Sequence, residues 1–184
     1  NNAFQYVQSQ DSQLLHIAQS LGSSKEKVNE SFDKVTVEND LIKRRFRMLV
    51  NRFSDNMAAI VSQKATKSKS GLKIYEIYDD EMGDNYYIAL GEKSTNIDPF
   101  LIYVALIQDQ ERIKAIVFVG EESRKIIKAS RIAKEISLKL GGTGGGGTDK
   151  FAQGGGKDKS KIHDCLKNLE NLLTDILDYS EKND

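Results

Sequence analysis

Ile113-Lys-Ala-Ile-Val-Phe-Val119 holds six apolar residues in seven and ends at Gly120. A strand with one wet face alternates polar and apolar side chains, whereas a near-continuous apolar run suits a strand covered on both faces. The segment therefore reads as the central strand of a sheet, and the rest of the fold is placed around it. Downstream, a helix is expected from Ser123 to about Leu140, with Ile126, Ile127, Ile132, Ile136 and Leu140 on its inner side. A closing helix from Ser160 carries Ile162, Leu166, Leu169, Leu173 and Ile176 on one stripe. Upstream, Leu72-Lys-Ile-Tyr-Glu-Ile-Tyr78 alternates with period two, and Tyr86-Tyr-Ile-Ala-Leu90 reads as its hairpin partner across the acidic turn Asp79–Asn85. Asn96 is read as the cap of a helix with Pro99 in its first turn, running from Phe100 to about Ile107. Strands and helices interleave, so the fold class is α+β or α/β: a mixed sheet flanked by helices.

The first third of the chain has a different character. Ser12 to Leu21 reads as a short amphipathic helix capped by Ser12 and stopped at Gly22. Ser23 or Ser24 then caps a second helix, expected over about 24–64, with no Pro or Gly before Gly71. Within it Val28, Phe32, Val35, Asn39, Ile42, Phe46, Leu49, Phe53, Asn56 and Ile60 follow an unbroken 4-3-4-3 spacing, and eight of the ten are apolar. That is a heptad seam, with Asn39 and Asn56 as its register-setting polar positions. At 1.5 Å per residue such a helix is roughly 60 Å long, and a ten-residue neighbour cannot cover it. A homotypic helical contact through Val28, Phe32, Val35, Asn39, Ile42, Phe46, Leu49, Phe53 and Ile60 is the preferred reading. Residues 64–71 form a polar, basic linker, which divides the chain into a helical dimerisation arm (1–70) and a globular α/β domain (71–184).

The 184 residues hold 27 Lys+Arg and 27 Asp+Glu, so a uniformly basic nucleic-acid binder is excluded. A single cysteine excludes an intramolecular disulfide framework and a zinc ribbon, and suits a reducing, cytoplasmic setting. No run of about 18 apolar residues is present, so no membrane partner is expected. The opening Asn-Asn-Ala-Phe has neither initiator Met nor leader features, and the chain is expected to be a piece of a longer protein. Zero net charge hides blocks: residues 40–73 carry nine bases and two acids, 74–122 three and eleven, 123–161 ten and three, 162–184 two and six. Solvated faces mix their signs; separated basic blocks suit contact with a phosphate backbone.

Catalytic and metal constellations fail on spacing. His163 and Cys165 are two apart on an expected helix and point to different faces, while His16 lies far away in sequence. Gly142-Thr-Gly-Gly-Gly-Gly147 matches G-x-G-x-x-G formally, but it follows a helix instead of a strand. Gly156-Lys157 is followed by Asp158, not by the Ser or Thr of a P-loop. The expectation is no catalytic residue, no metal and no cofactor in this chain.

Nine of the fourteen glycines fall in residues 141–157, Gly-Gly-Thr-Gly-Gly-Gly-Gly-Thr-Asp-Lys-Phe-Ala-Gln-Gly-Gly-Gly-Lys. A flexible linker would not hold Phe151-Ala152-Gln153 between two glycine runs. A loop that repeatedly takes φ > 0 and closely approaches a partner would, and its bare N–H groups suit anionic oxygens. Gly144-Gly-Gly-Gly-Thr-Asp-Lys-Phe-Ala-Gln-Gly-Gly-Gly156 resembles the glycine motif of the C-terminal domain of alanyl-tRNA synthetase in its archaeal-like form. The order of helical arm, strands, Ile113–Gly120 with Glu121, basic helix, glycine loop and final helix agrees as well. Related DHH-type phosphoesterases carry a cousin of this domain with a histidine after the glycines, where Thr148 stands here. One departure is that Thr148-Asp149-Lys150 replaces the family's usual Arg-Pro-Asp or Arg-Pro-Glu.

The resemblance implies a non-catalytic domain that dimerises the synthetase and touches the outer corner of tRNA(Ala). The catalytic and editing domains, with their ATP, Mg and Zn, would lie upstream in the parent ligase and be partners within the same chain. On that footing Lys43, Arg44, Arg47, Lys150, Lys157 and Lys159 are the candidates for RNA phosphates, with Gly144, Gly145, Gly146, Gly147 and Gln153 in the loop. The alternatives are an accessory substrate-binding domain of a phosphoesterase and a pure oligomerisation module.

Overall fold

The computed structural model describes residues 2–68, 71–79, 82–109 and 111–181, and side chains as far as residue 177. The chain forms two compact units, Asn1–Leu49 and Val50–Asp184, which divide inside a helix twenty-one residues before the expected domain boundary.

In the first unit helix α1 (Asn2–Ser20) is followed by a 3-10 turn, Lys25–Lys27, and the start of α2 (Val28–Lys64). Helix α1 begins ten residues before the expected Ser12 cap, because Phe4 and Val7 extend the apolar spacing of Leu14 and Ala18 backward. Gly22 stops it as expected. Its φ is 61°, and Ser23 N–H and Gly22 N–H donate to the Ala18 and Gln19 carbonyls, the paired bonds of a glycine-terminated helix. Ala18 and Val28 are the buried hydrophobics among the described residues of this unit. Phe32, Val35, Ile42, Phe46 and Leu49 lie between 48% and 65% exposed, and Asn39 is exposed beside them.

The second unit is a six-stranded sheet in the order β1-β2-β3-β4-β6-β5 between two helical layers. Its strands are β1 (Thr66–Lys67), β2 (Lys73–Asp79), β3 (Leu101–Gln108), β4 (Ile113–Val119), β5 (Gly146–Gly147) and β6 (Phe151–Gly156). Its helices, besides the end of α2, are α3 (Asp84–Ile97), α4 (Ala129–Lys139), α5 (Ile162–Lys167) and α6 (Leu169–Glu181). Strand β4 is central and buried on both faces, as its composition requires.

Three expectations are corrected around it. The proposed hairpin partner at 86–90 is instead part of α3, whose Tyr86, Tyr87, Leu90, Gly91 and Ser94 recur at helical spacing on one buried face. The proposed helix 100–107 is strand β3, which runs parallel to β2 from Lys73↔Leu101 to Asp79↔Ile107. A parallel pair needs a crossover, and α3 supplies it. The basic linker contains β1, antiparallel to β2 through Thr66↔Ile74 and Lys67↔Lys73. Further on, the single helix expected over 123–140 is broken: a 3-10 turn Ser123–Lys125 precedes α4, and Ile126 is 60% exposed while Ile127, Ile132, Ile136 and Leu140 are buried. The expected closing helix is likewise a 3-10 turn, Lys159–Lys161, followed by α5 and α6.

Strand alternation divides the core. On one face Ile74, Ile102, Val104, Leu106, Val117 and Val119 meet Ile132, Ile136, Leu169, Leu173 and Ile176 from α4 and α6. On the other Tyr75, Tyr103, Phe118 and Phe151 stand in register across four strands. The Tyr75–Tyr103 ring centroids are 5.9 Å apart and those of Phe118 and Phe151 4.6 Å. Over this aromatic row lies α3, its Gly91 set where a Cβ would come within 2.6 Å of Phe118 and 2.7 Å of Tyr103. The end of α2 shares that layer through Val50, Ala58 and Val61. These positions form a stripe adjacent to the heptad seam, leaving Ile60 and Asn56 exposed, while Phe53 rests against Tyr86 at 5.4 Å.

Candidate functional site

The glycine segment is not an open loop. It forms the hairpin β5–β6, which pairs Gly146↔Gln153 and Gly147↔Ala152 and joins the sheet through β4. Positive φ is concentrated there, at Gly141 (73°), Gly144 (139°), Gly147 (152°) and Gly155 (150°). The close approach is met within the chain, by α4. A Cβ on Gly145 or Gly154 would stand 2.8 or 2.6 Å from the Ala133 carbonyl oxygen, and one on Gly156 1.9 Å from that of Leu140. Helix α4 offers the matching face: Ala129, Ala133 and Ser137, one small residue per turn, are all buried. The Ser137 hydroxyl donates to the Gly155 carbonyl at 2.6 Å and lies 2.9 Å from the Gly144 carbonyl. Gly141 and Gly142 N–H close the helix end on the Leu138 and Ser137 carbonyls.

At the far end of this hairpin a cleft of about 410 Å³ is lined by Arg112, Ile113 and Lys114 of β4 and its approach, by Gly141 to Gly144, and by Gly154 to Lys157. Among the described residues no carboxylate lines it, although Asp84 and Asp109 reach Lys114 from outside. Lys114 is held by Asp84 at 2.6 Å, which raises its pKa against a smaller opposing effect of burial. Lys157 is exposed. Two or three cations around a concavity attract phosphate-type oxygens, and the bare glycines let such a group come close to the backbone.

Of the residues expected to contact RNA, Gly144 and Lys157 line this cleft. Lys150 lies instead in the turn between β5 and β6, 3.5 Å from Glu92, and its neighbour Asp149 is 3.4 Å from Lys128. That turn is closed by Thr148, whose N–H donates to the Phe151 carbonyl and whose hydroxyl accepts from Phe151 N–H, so the departing triplet is a compact connection. Lys159 is exposed in the 3-10 turn after β6. Gly146, Gly147 and Gln153 belong to the paired part of the hairpin, with Gln153 exposed, and Gly145 lies just before it against the Ala133 backbone. Lys43, Arg44 and Arg47 lie in the first compact unit and are exposed on α2. Arg112 and Lys114 were not legible as site residues. They reach the glycines only through the pairing Ile113↔Gly156 and Lys114↔Gly155, across some forty residues of sequence. Among the described residues no group of three His, Cys, Asp or Glu could hold a metal ion.

Residues 88–175, from within α3 to within α6, match the model of the DHHA1 domain. The sequence is also similar to alanine–tRNA ligases. It is 35% identical over 108 residues to that of Nitrosopumilus maritimus, covering 59% of this chain and 11% of the ligase. It is 28% identical over 169 residues to that of Rickettsia felis, covering 91% of this chain and 19% of the ligase. The chain thus spans a fifth or less of these relatives' length. The fold is that of the C-Ala domain of Aquifex aeolicus alanyl-tRNA synthetase, matched with a TM-score of 0.54 at 22% identity over 60% of this chain and 97% of that one. Residues 88–175 are thus similar to a DHHA1 domain, and the chain resembles the C-terminal part of alanyl-tRNA synthetases.

Proposed function

We propose that this chain is the non-catalytic C-terminal portion of an alanine–tRNA ligase, that it self-associates through its helical arm, and that it contacts tRNA(Ala) with its basic surfaces. In the parent ligase it would support aminoacylation and editing by the upstream domains in the cytoplasm. The observation that carries the reading is the coincidence of the DHHA1 match with a glycine hairpin bordering a cleft lined by Arg112, Lys114 and Lys157 and, among the described residues, by no carboxylate. RNA shape and phosphates, not base edges, are what such a surface can read, so binding is expected to be salt-sensitive and weakly sequence-specific. The exposed seam from Phe32 to Leu49 supports the self-association. Filter binding of tRNA(Ala) to the chain, at about 50 and about 200 mM salt, tests the RNA contact. Binding at the lower salt that weakens by at least tenfold at the higher supports it; no retention at the lower salt overturns it.

A further inference from the structure

The first compact unit carries an asymmetry that its apolar seam does not explain. From Val28 to Phe53 the seam is spaced 4-3-4-3-4-3-4, which reads the same from either end. Apolar spacing alone therefore accepts a partner helix in either direction. Charge does not. Residues 26–40 carry Glu26, Glu30, Asp33, Glu38 and Asp40 against Lys27 and Lys34, while residues 43–52 carry Lys43, Arg44, Arg45, Arg47 and Arg52 and no acid. All are exposed. Lys34 and Glu30 satisfy each other at 2.7 Å, one turn apart. Among the described residues Asp33, Glu38, Asp40 and the five bases of 43–52 have no ion pair within their own chain.

We propose that α2 pairs with a second copy of itself in the antiparallel sense, about a two-fold axis that passes between the helices at the level of the Asp40–Leu41 peptide, so that the acidic half of each helix lies against the basic half of the other. The proposal rests on the self-association stated above and adds its direction and register. In this register Phe32 meets the partner's Leu49, Val35 meets the partner's Phe46, and Asn39 meets the partner's Ile42. Each residue faces the one equally far beyond the axis. The two Asn39 side chains flank the axis about 4.5 Å apart along the helix direction, within reach of each other. Glu38 and Arg45 occupy the same flanking position of successive heptads, and the antiparallel register sets Glu38 beside the partner's Arg45, twice by symmetry. A parallel pair would instead align the five cations of one copy with the same five of the other, a run of like charges at short range. Arg44 and Arg47 fall on the outward side of the helix in the antiparallel pair, which leaves them accessible to a phosphate backbone.

The test uses the whole chain with its buried Cys165 replaced by Ala, carrying Val35→Cys or Phe46→Cys, each checked for molar mass by light scattering. Under mild oxidation the proposal expects neither single variant to cross-link with itself, and their equimolar mixture, annealed before oxidation, to form the mixed disulfide dimer. Self-cross-linking of either single variant would establish a parallel pair and overturn the direction while leaving self-association standing. A dimer by mass that cross-links in no combination overturns the register. A monomer for the unsubstituted chain, 20.6 kDa where about 41 kDa is expected, overturns the self-association itself. A charge swap adds an independent readout: Glu38→Arg is expected to weaken the dimer at low salt, and Glu38→Arg with Arg45→Glu to restore it. Restoration that fails at low salt counts against the antiparallel register.

Discussion

Replacing Gly154 by Ala should loosen the fold, although the same change at Gly146, in the same hairpin, should not. In β6 a Cβ on Gly154 would sit 2.6 Å from the Ala133 carbonyl oxygen and 3.2 Å from the Ser137 Cβ, where ordinary contact begins at 3.4 Å. The obstacle is the backbone of α4, which cannot swing aside as a flexible side chain would. Relieving the contact requires a shift of about 0.8 Å between helix and hairpin, and overpacking of this kind costs about 1–3 kcal/mol. Restricting the unfolded chain returns about 0.4–1 kcal/mol. The expected net loss is therefore about 1–2 kcal/mol, or a fall of roughly 2–8 °C in the melting temperature of a chain this long. A Cβ on Gly146 meets nothing within 4 Å, and its φ needs no glycine. There the entropic gain stands alone, and Ala should be neutral or slightly stabilising. Thermal unfolding followed by circular dichroism reads both variants. If Gly154→Ala melts at or above the unsubstituted chain, or Gly146→Ala falls as far, the glycines serve flexibility and not the seating of α4.

Three further outcomes follow from the same geometry. In the helix α3, Gly91→Ala would normally add about 1 kcal/mol of helix propensity, but here its methyl collides with Phe118 and Tyr103; denaturant unfolding should show a net loss and a weaker near-ultraviolet tyrosine signal. Asp98 links the end of α2 to the start of β2, accepting from Lys73 and, at 2.7 Å, from Ser62. Burial works against its charge, but the hydrogen bonds from Lys73, Ser62 and the Phe100 N–H outweigh it and hold the carboxyl below the usual range. A depressed carboxylate stabilises the fold above the unfolded value of about 4 and stops doing so as pH falls through the folded one; Asp98→Asn should cost about 1–3 kcal/mol at neutral pH and flatten the acid limb of stability. Lys157→Glu should lower the slope of log affinity for tRNA(Ala) against log salt by about one, with the melting temperature unchanged; an unaltered slope would remove the cleft from the RNA contact.

Reading from sequence alone succeeded where one element carries its own signal. The apolar run 113–119 could only be a buried strand, and Gly22 stops its helix by a local rule. Tyr86-Tyr-Ile-Ala-Leu90 failed because five apolar residues suit either period; the helical one shows only when the run is extended to Gly91 and Ser94, buried positions held by small side chains. Pro99 misled in the same way, since it belongs to the turn before β3, whose helix-like apolar run is that of a strand covered on both faces. The glycine cluster and the helix before it were both legible, but the small face of that helix was not, because Ala133 and Ser137 have no signature until α4 and β6 are in contact. Arg112 and Lys114 depend on strand pairing, a long-range choice that no local window contains.

The sheet ends on each side in a strand of only two residues, Thr66–Lys67 at one margin and Gly146–Gly147 at the other. Short margins give a foreign strand little to grip, so the second unit is poorly suited to stacking edge to edge with its own kind. Adhesion is thereby segregated: the helical arm exposes the apolar seam, while the sheet keeps its longest strands inside. A chain organised this way can be held at high local concentration by its arm without its sheets polymerising.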